Sequence, residues 1–210
     1  MKICSIILAM LCLTSCVNVP PYDYSKLSAS NPGSILVLPP VNNSVEVAAP
    51  YTFISTITRP LAEKGYYVFP VAVIDTLMKE NGLPTPAEMH SVPLDKLQEK
   101  TGADSVLYVT INDWGQKYQV VSSNLVVDST AKLVDARTGE VLWDTRLHFV
   151  ESSDDGGGGL VGALVGAVVT QVVGSMNDRT PQVSSIANNR AINNPKRGLL
   201  PGPYKISEKK

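Results

Sequence analysis

From residue 34 onward, the hydrophobic and polar positions divide the chain into two stretches of different rhythm. Ser34-Ile35-Leu36-Val37-Leu38 is a short continuous apolar run closed by Pro39-Pro40. A run this short, without alternation, suits a strand buried on both faces, as in an α/β sheet. Tyr51 to Lys64 brings Phe53, Ile54, Ile57 and Leu61 together at helical spacing, with Gly65 as the stop; Pro60 inside it predicts a kink or a break. Tyr66 to Phe69 reads as the second strand and Val71 to Glu80 as the second helix, closed by Asn81-Gly82. Pro84 and Pro86 frame a helical turn, and a further helix starts near Pro93, turns Leu94 and Leu97 inward and ends at Thr101-Gly102. Ser105 to Ile111 is the third strand. The order βαβαβ predicts a partly parallel sheet flanked by helices.

Alternation then replaces continuous apolar runs. Tyr118 to Val127 and Ser129 to Asp135 alternate, with turn residues between them, and Asp135 to Glu140 is a turn. In the strand Val141 to Val150, Val141, Trp143, Thr145, Leu147 and Phe149 face opposite to Leu142, Asp144, Arg146 and His148. This half reads as an antiparallel meander. The expected fold class is α/β: a mixed sheet, βαβαβ followed by the meander, plus a glycine-rich apolar helix, in one domain over residues 34–178. That length supports a single core. In the remaining residues 179–210, Ser184 to Asn194 adds a helix. Pro195, Pro201 and Pro203 then mark an irregular tail ending in Lys209-Lys210, part of it expected to order only against a neighbour.

The N-terminus changes the picture from fold to location. Lys2 precedes a stretch, Ile3 to Leu13, that is apolar apart from Ser5, and Leu13-Thr14-Ser15-Cys16 follows. This is the anatomy of a secretory signal peptide, too short to span a bilayer, which takes about 20 apolar residues. Closure by a cysteine resembles a bacterial lipobox. That resemblance implies removal of residues 1–15, a diacylated Cys16 sulfur and an acylated amino group, with membrane lipid as the first partner. Buried methylenes contribute about 0.8 kcal/mol each, so three chains anchor permanently. Val17 follows the cysteine where an aspartate would commonly retain the protein at the inner membrane; resemblance to sorted lipoproteins implies the outer membrane, facing the periplasm. Residues 16–33, with Pro20, Pro21, Pro32 and Gly33 among polar groups, read as the anchor and an extended, flexible tether.

Processing also removes Cys4 and Cys12, leaving Cys16 as the sole cysteine. An internal disulfide, a cysteine metal cluster and a cysteine nucleophile are thereby excluded. Lys2 is the only charge lost, so 17 of the 18 basic side chains remain against 19 acidic ones. Such balance gives no electrostatic basis for binding nucleic acid.

The stretch from Asp154-Asp155 through four glycines to Met176 is uncharged between Leu160 and Val173. Gly158, Gly162 and Gly166 are four apart and stack on one face of a helix, the small-xxx-small pattern that admits close approach of another element. Three placements fit: a core helix over the sheet, an interface for another copy or a partner, or a membrane-inserted segment. Gly157-x-Gly159-x-x-Gly162 matches a dinucleotide fingerprint in form only, since no strand follows and Asp154-Asp155 would repel a pyrophosphate.

Catalytic chemistry finds no foothold. His90 and His148 are the only histidines, neither in a zinc-binding spacing, and no Gly-x-Ser-x-Gly elbow occurs. Glu151, Asp154 and Asp155 lack the ligand alternation of a calcium loop. No enzyme activity, cofactor or metal is expected. Trp114, after the third strand, either anchors a binding surface or plugs the core. A second reading places an envelope enzyme or solute-binding cleft beside Trp114 and the loop Val41 to Ala49, and a third makes the chain a subunit of a secretion pore.

The lipobox, Ser34 to Pro40, Gly65-Tyr66-Tyr67-Val68, Gly102-Ala103-Asp104, the hairpin Asp135 to Trp143 and the glycine-rich stretch together resemble a family of small bacterial lipoproteins of unknown function. That family's domain is similar to the N-terminal α/β domain of TolB and to the lipoproteins CsgG and LpoB. The resemblance implies a non-catalytic, oligomeric adaptor in the cell envelope, its partners being other envelope lipoproteins or itself. No paired amphipathic strands like those of the CsgG pore are present.

Overall fold

The computed structural model describes residues 20–118, 123–152 and 179–206. A mixed six-stranded sheet runs in the order β3-β1-β4-β5-β6, with β1 Ser34–Val37, β3 Tyr67–Val68, β4 Ser105–Tyr118, β5 Ser123–Asp135 and β6 Val141–Ser152. The short β2, Val41–Asn42, pairs with β4 beyond the end of β1. Pro39-Pro40 therefore interrupts the first strand, which resumes along the same neighbour. Pairings of β1 with β3 and β4 are parallel, and β4-β5-β6 is antiparallel. The expected fold class holds.

Continuous burial of the first strand has a direct cause. Ile35 and Val37 enter one core with Phe53, Ile57 and Leu61 of α2 (Ala49–Glu63) and Val183, Ala187 and Ile192 of α6 (Thr180–Ile192). Leu36 and Leu38 enter a second core with Ile74 and Met78 of α3 (Val71–Glu80), Met89 of α4 (Pro86–His90) and Leu97 of α5 (Leu94–Thr101). Helices thus cover both faces of the parallel half. Over the meander, the first core continues with Val127, Ala131, Leu133, Leu147 and Phe149, while Lys132, Arg146 and His148 on the other face are exposed.

Several expectations need correction. Pro60 does not break α2: it is buried in the core-facing stripe beside Ile57 and Leu61, and packing there offsets the missing N–H. The third strand runs on to Tyr118, and the break expected at Asp128 is absent: Ser123–Asp135 is one strand, β5. Bulges reconcile the side-chain pattern. Asn112 is the extra residue on β4, since Ile111 pairs with Ser129 and Asp113 with Asp128. Leu142 is the extra residue on β6, since Trp143 pairs with Leu133 and Val141 with Val134. Leu142 and Trp143 are consequently both buried.

Within the stretch expected as a tether, Tyr22 contacts Asp144 and Arg197. Ser25–Ser30 forms α1 with Leu27 buried, and Ser30 Oγ donates to Asp135 Oδ2. The tail, too, is docked on its own chain: Leu199 is buried, Gly202 N donates to Lys64 O (2.9 Å) and Tyr204 N to Gly65 O (3.0 Å). Gly65 is required here, because its φ is +92° and a Cβ would lie 2.2 Å from Lys205 N.

Candidate functional site

Of the residues singled out in the sequence, Cys16, Gly158, Gly162 and Gly166 lie outside the described residues. Trp114 lies inside β4 and is 1% exposed. The bulge at Asn112 shifts the alternation by one, so Trp114 joins Ile111 on the core face, paired with Val127 and edge-on to Phe53 of α2. Trp114 is thus packed among core residues, with almost none of its surface exposed. Near it, β2 lies along β4 and Ala49 and Phe53 are buried.

Both histidines are placed. His90 is half-buried under Tyr108, its ring edge-on to the phenol, and its Nε2 donates to Pro39 O at 2.9 Å. Burial pushes its pKa below 6.5, against the pull of that hydrogen bond. His148 is exposed on the open sheet face, its Nδ1 3.7 Å from Asp128 Oδ1. Asp128 is the hub of that face: Arg146 binds it through Nε (2.9 Å) and Nη2 (2.7 Å). This fork, more than the charge of His148, holds the carboxyl below its usual range. Asp113, the ladder partner of Asp128, accepts from Lys117 at 2.6 Å.

The hairpin Asp135 to Trp143 proves to be a scaffold. Asp135 Oδ1 accepts from the N–H groups of Arg137 (2.8 Å) and Thr138 (3.0 Å), closing the turn. Burial raises this carboxyl's pKa, but the bonds from Ser30, Arg137 and Thr138 outweigh it and leave a net depression. Asp104 performs the same service at the start of β1, accepting from Gly33 N, Ser34 N and Ser34 Oγ at 2.9–3.0 Å. Between α2 and α6, the buried Ser184 and Asn188 meet Thr56 Oγ1 at 2.7 and 2.9 Å. These polar groups fix register between elements. Among the described residues, none of the His, Cys, Asp and Glu side chains gather three together as a metal would need, and no helix is long and apolar enough to cross a membrane.

One assembly escaped sequence reasoning, and it is where both ends of the body meet. The hydroxyl of Tyr22 donates to Asp144 Oδ1 (2.9 Å) and accepts from Asp144 N (3.0 Å). Arg197 lies over the Tyr22 ring at 4.8 Å, pairs with the Asp144 carboxylate and donates through Nε to Asp144 O at 3.2 Å. Trp143 Nε1 donates to Arg197 O, and Tyr24 Oη to Gly198 O. The outer polar groups of Asp144, on the edge strand of the sheet, are thus satisfied by the chain's own ends, which blocks strand addition there. Burial raises the Tyr22 pKa, and it drives Tyr66, whose hydroxyl donates to Leu200 O, to about 12. A shallow cleft of about 210 Å³ lies close by, between α1 and the tail, lined by Leu27, Asn31, Tyr66 and Leu200 among others.

Comparison with known proteins gives this framework a family. Residues 22–204 match the family model described as "Putative lipoprotein GNA1162-like". "Putative lipoprotein NMB1124/NMB1162" of Neisseria meningitidis serogroup B (strain ATCC BAA-335 / MC58) is 40% identical over 203 residues, covering 95% of this chain and 94% of that one. The crystal structure of lipoprotein GNA1162 from Neisseria meningitidis superposes with a TM-score of 0.58 at 42% identity, over 69% of this chain and 100% of that chain. The LpoB C-terminal domain from Salmonella enterica aligns at 19% identity over 57% of this chain and 84% of its own, with a TM-score of 0.41, a likeness too slight to carry an argument. The family match takes in every described element from α1 to α6, and the chain belongs to the GNA1162-like lipoprotein family.

Proposed function

We propose that this chain is an outer-membrane lipoprotein, anchored through acyl chains on Cys16. Its body faces the periplasm and serves as a non-catalytic adaptor in envelope assembly or transport, docking protein partners or further copies of itself. The observation that carries this reading is Leu13-Thr14-Ser15-Cys16 behind a short apolar run, on a chain of a lipoprotein family. Val17, in place of a retention aspartate, supports the outer membrane.

The body supports the adaptor role through what its polar groups already do. His90 is committed to Pro39, Asp135 to its turn and Asp128 to Arg146. The self-association or partner face is the glycine row Gly158, Gly162 and Gly166, whose missing side chains admit a close neighbour. The soluble domain, made without its lipid, is then a dimer or larger assembly, weakened by Gly162→Leu or Gly166→Leu. In-cell crosslinking that captures a second copy or a defined envelope protein supports the reading. A strict monomer at high micromolar concentration, with nothing captured, overturns it.

A further inference from the structure

We propose that the anchor holds the β6 edge of the body close against the membrane surface; this rests on the acylation of Cys16 proposed above. Tyr22 is firmly held on the body. Its hydroxyl is fixed twice by Asp144, its ring is covered by Arg197, and Tyr24 packs edge-on to it at 4.8 Å. Leu27, buried a few residues on, locks the same segment.

Covalent geometry then limits the standoff. Six residue steps separate Cys16 from Tyr22, and an extended chain spans at most about 3.6 Å per step, so Tyr22 lies within roughly 20 Å of the anchor. Had the chain been free as far as Gly33, the same rule would allow roughly 60 Å. Acyl chains enter the hydrocarbon, which puts the Cys16 backbone at the headgroups. The partner of the Tyr22–Lys196–Arg197 surface is therefore the phospholipid headgroup layer.

Charge does not draw this surface to the lipid. Arg197 is already answered by Asp144, so the short span, more than charge, sets the contact. At about 4.8 Å per strand, β3 lies roughly 19 Å across the sheet from β6. Strand β3 and helix α3 accordingly face the periplasm, on the side that proteins can reach.

The test uses the full lipidated chain in phosphatidylethanolamine–phosphatidylglycerol vesicles carrying a headgroup-linked acceptor dye. With Cys16 acylated, an introduced cysteine is the only free thiol, so Lys196→Cys and Glu80→Cys, both at exposed positions, each take one donor label. The donor at 196 loses more emission to the acceptor than the donor at 80. Inserting about 12 Gly/Ser residues between Val19 and Pro20 adds roughly 40 Å of reach and collapses the difference. Equal transfer at both sites on a chain whose Cys16 peptide carries acyl mass overturns the close approach and leaves anchoring standing. Chains that stay off the vesicles with a bare Cys16 thiol overturn both.

Discussion

Strands β1 and β6 are both rich in apolar residues, yet they answer to different surroundings. In and just after β1, Ile35 and Val37 meet α2 and α6 while Leu36 and Leu38 meet α3, α4 and α5, so all four positions from Ile35 to Leu38 are apolar. In β6, Leu147 and Phe149 meet the core, whereas Arg146 and His148 face outward with Asp128. The parallel half needs helices on both faces because its crossovers put them there; the meander needs only one. Stability should therefore concentrate in the two-sided half and at its junction with the meander, and charge sensitivity on the open face.

Trp114 tests that junction most severely. It sits where α2 meets β4 and β5, and Trp114→Ala leaves a void costing about 3–5 kcal/mol, read as a fall in the urea midpoint. A near-neutral result would move the junction elsewhere. Asp135→Ala comes next, since it removes the acceptor for Ser30, Arg137 and Thr138 together. Losing hydrogen bonds to a charged group in this way costs about 2 kcal/mol.

Two smaller effects depend on pH and separate the halves. Burial lowers the His90 pKa from 6.5 in the fold, so the unfolded chain binds the proton more readily. The stability His90 contributes is complete above about pH 6.5 and falls as pH drops from there through the lowered value. His90→Phe removes that slope from thermal melts recorded at about pH 5 to 7. Asp128 acts lower on the scale. Arg146 depresses its pKa from 3.8, so its contribution is present above that value and is lost as pH falls through the depressed one. Asp128→Asn therefore flattens the acid limb of the melting curve. Smallest of all, Lys132→Ala on the open face leaves the urea midpoint unchanged; a clear shift would show that this face is covered.

What was legible in the sequence follows the same division. The first strand and α3, α4 and α5 stand within a few residues of their expected positions, because periodic apolar side chains meet a core at each. Strand β4 runs past its expected end at Ile111, because the polar Asn112-Asp113 breaks the apolar run while the Asn112 bulge returns Trp114 to the core. Strand β5 reads as divided because Asp128 looks like a turn residue, whereas it faces Arg146 across the ladder. The docked ends were invisible for a different reason. Leu27 is the single buried residue of α1, and the tail is held largely by backbone bonds to Lys64 and Gly65, which leave no side-chain pattern. The meeting of Tyr22, Asp144 and Arg197 joins positions more than 50 residues apart in sequence, beyond the reach of local periodicity.

The central claim is that Cys16 carries the chain's membrane anchor. Intact-mass and N-terminal peptide analysis of protein extracted from the envelope tests it most directly. The expected product begins at Cys16, with diacylglycerol on its sulfur and a fatty acid on its amino group. A product with an unmodified Cys16 thiol, or one cut at another site and released from the envelope, would contradict it.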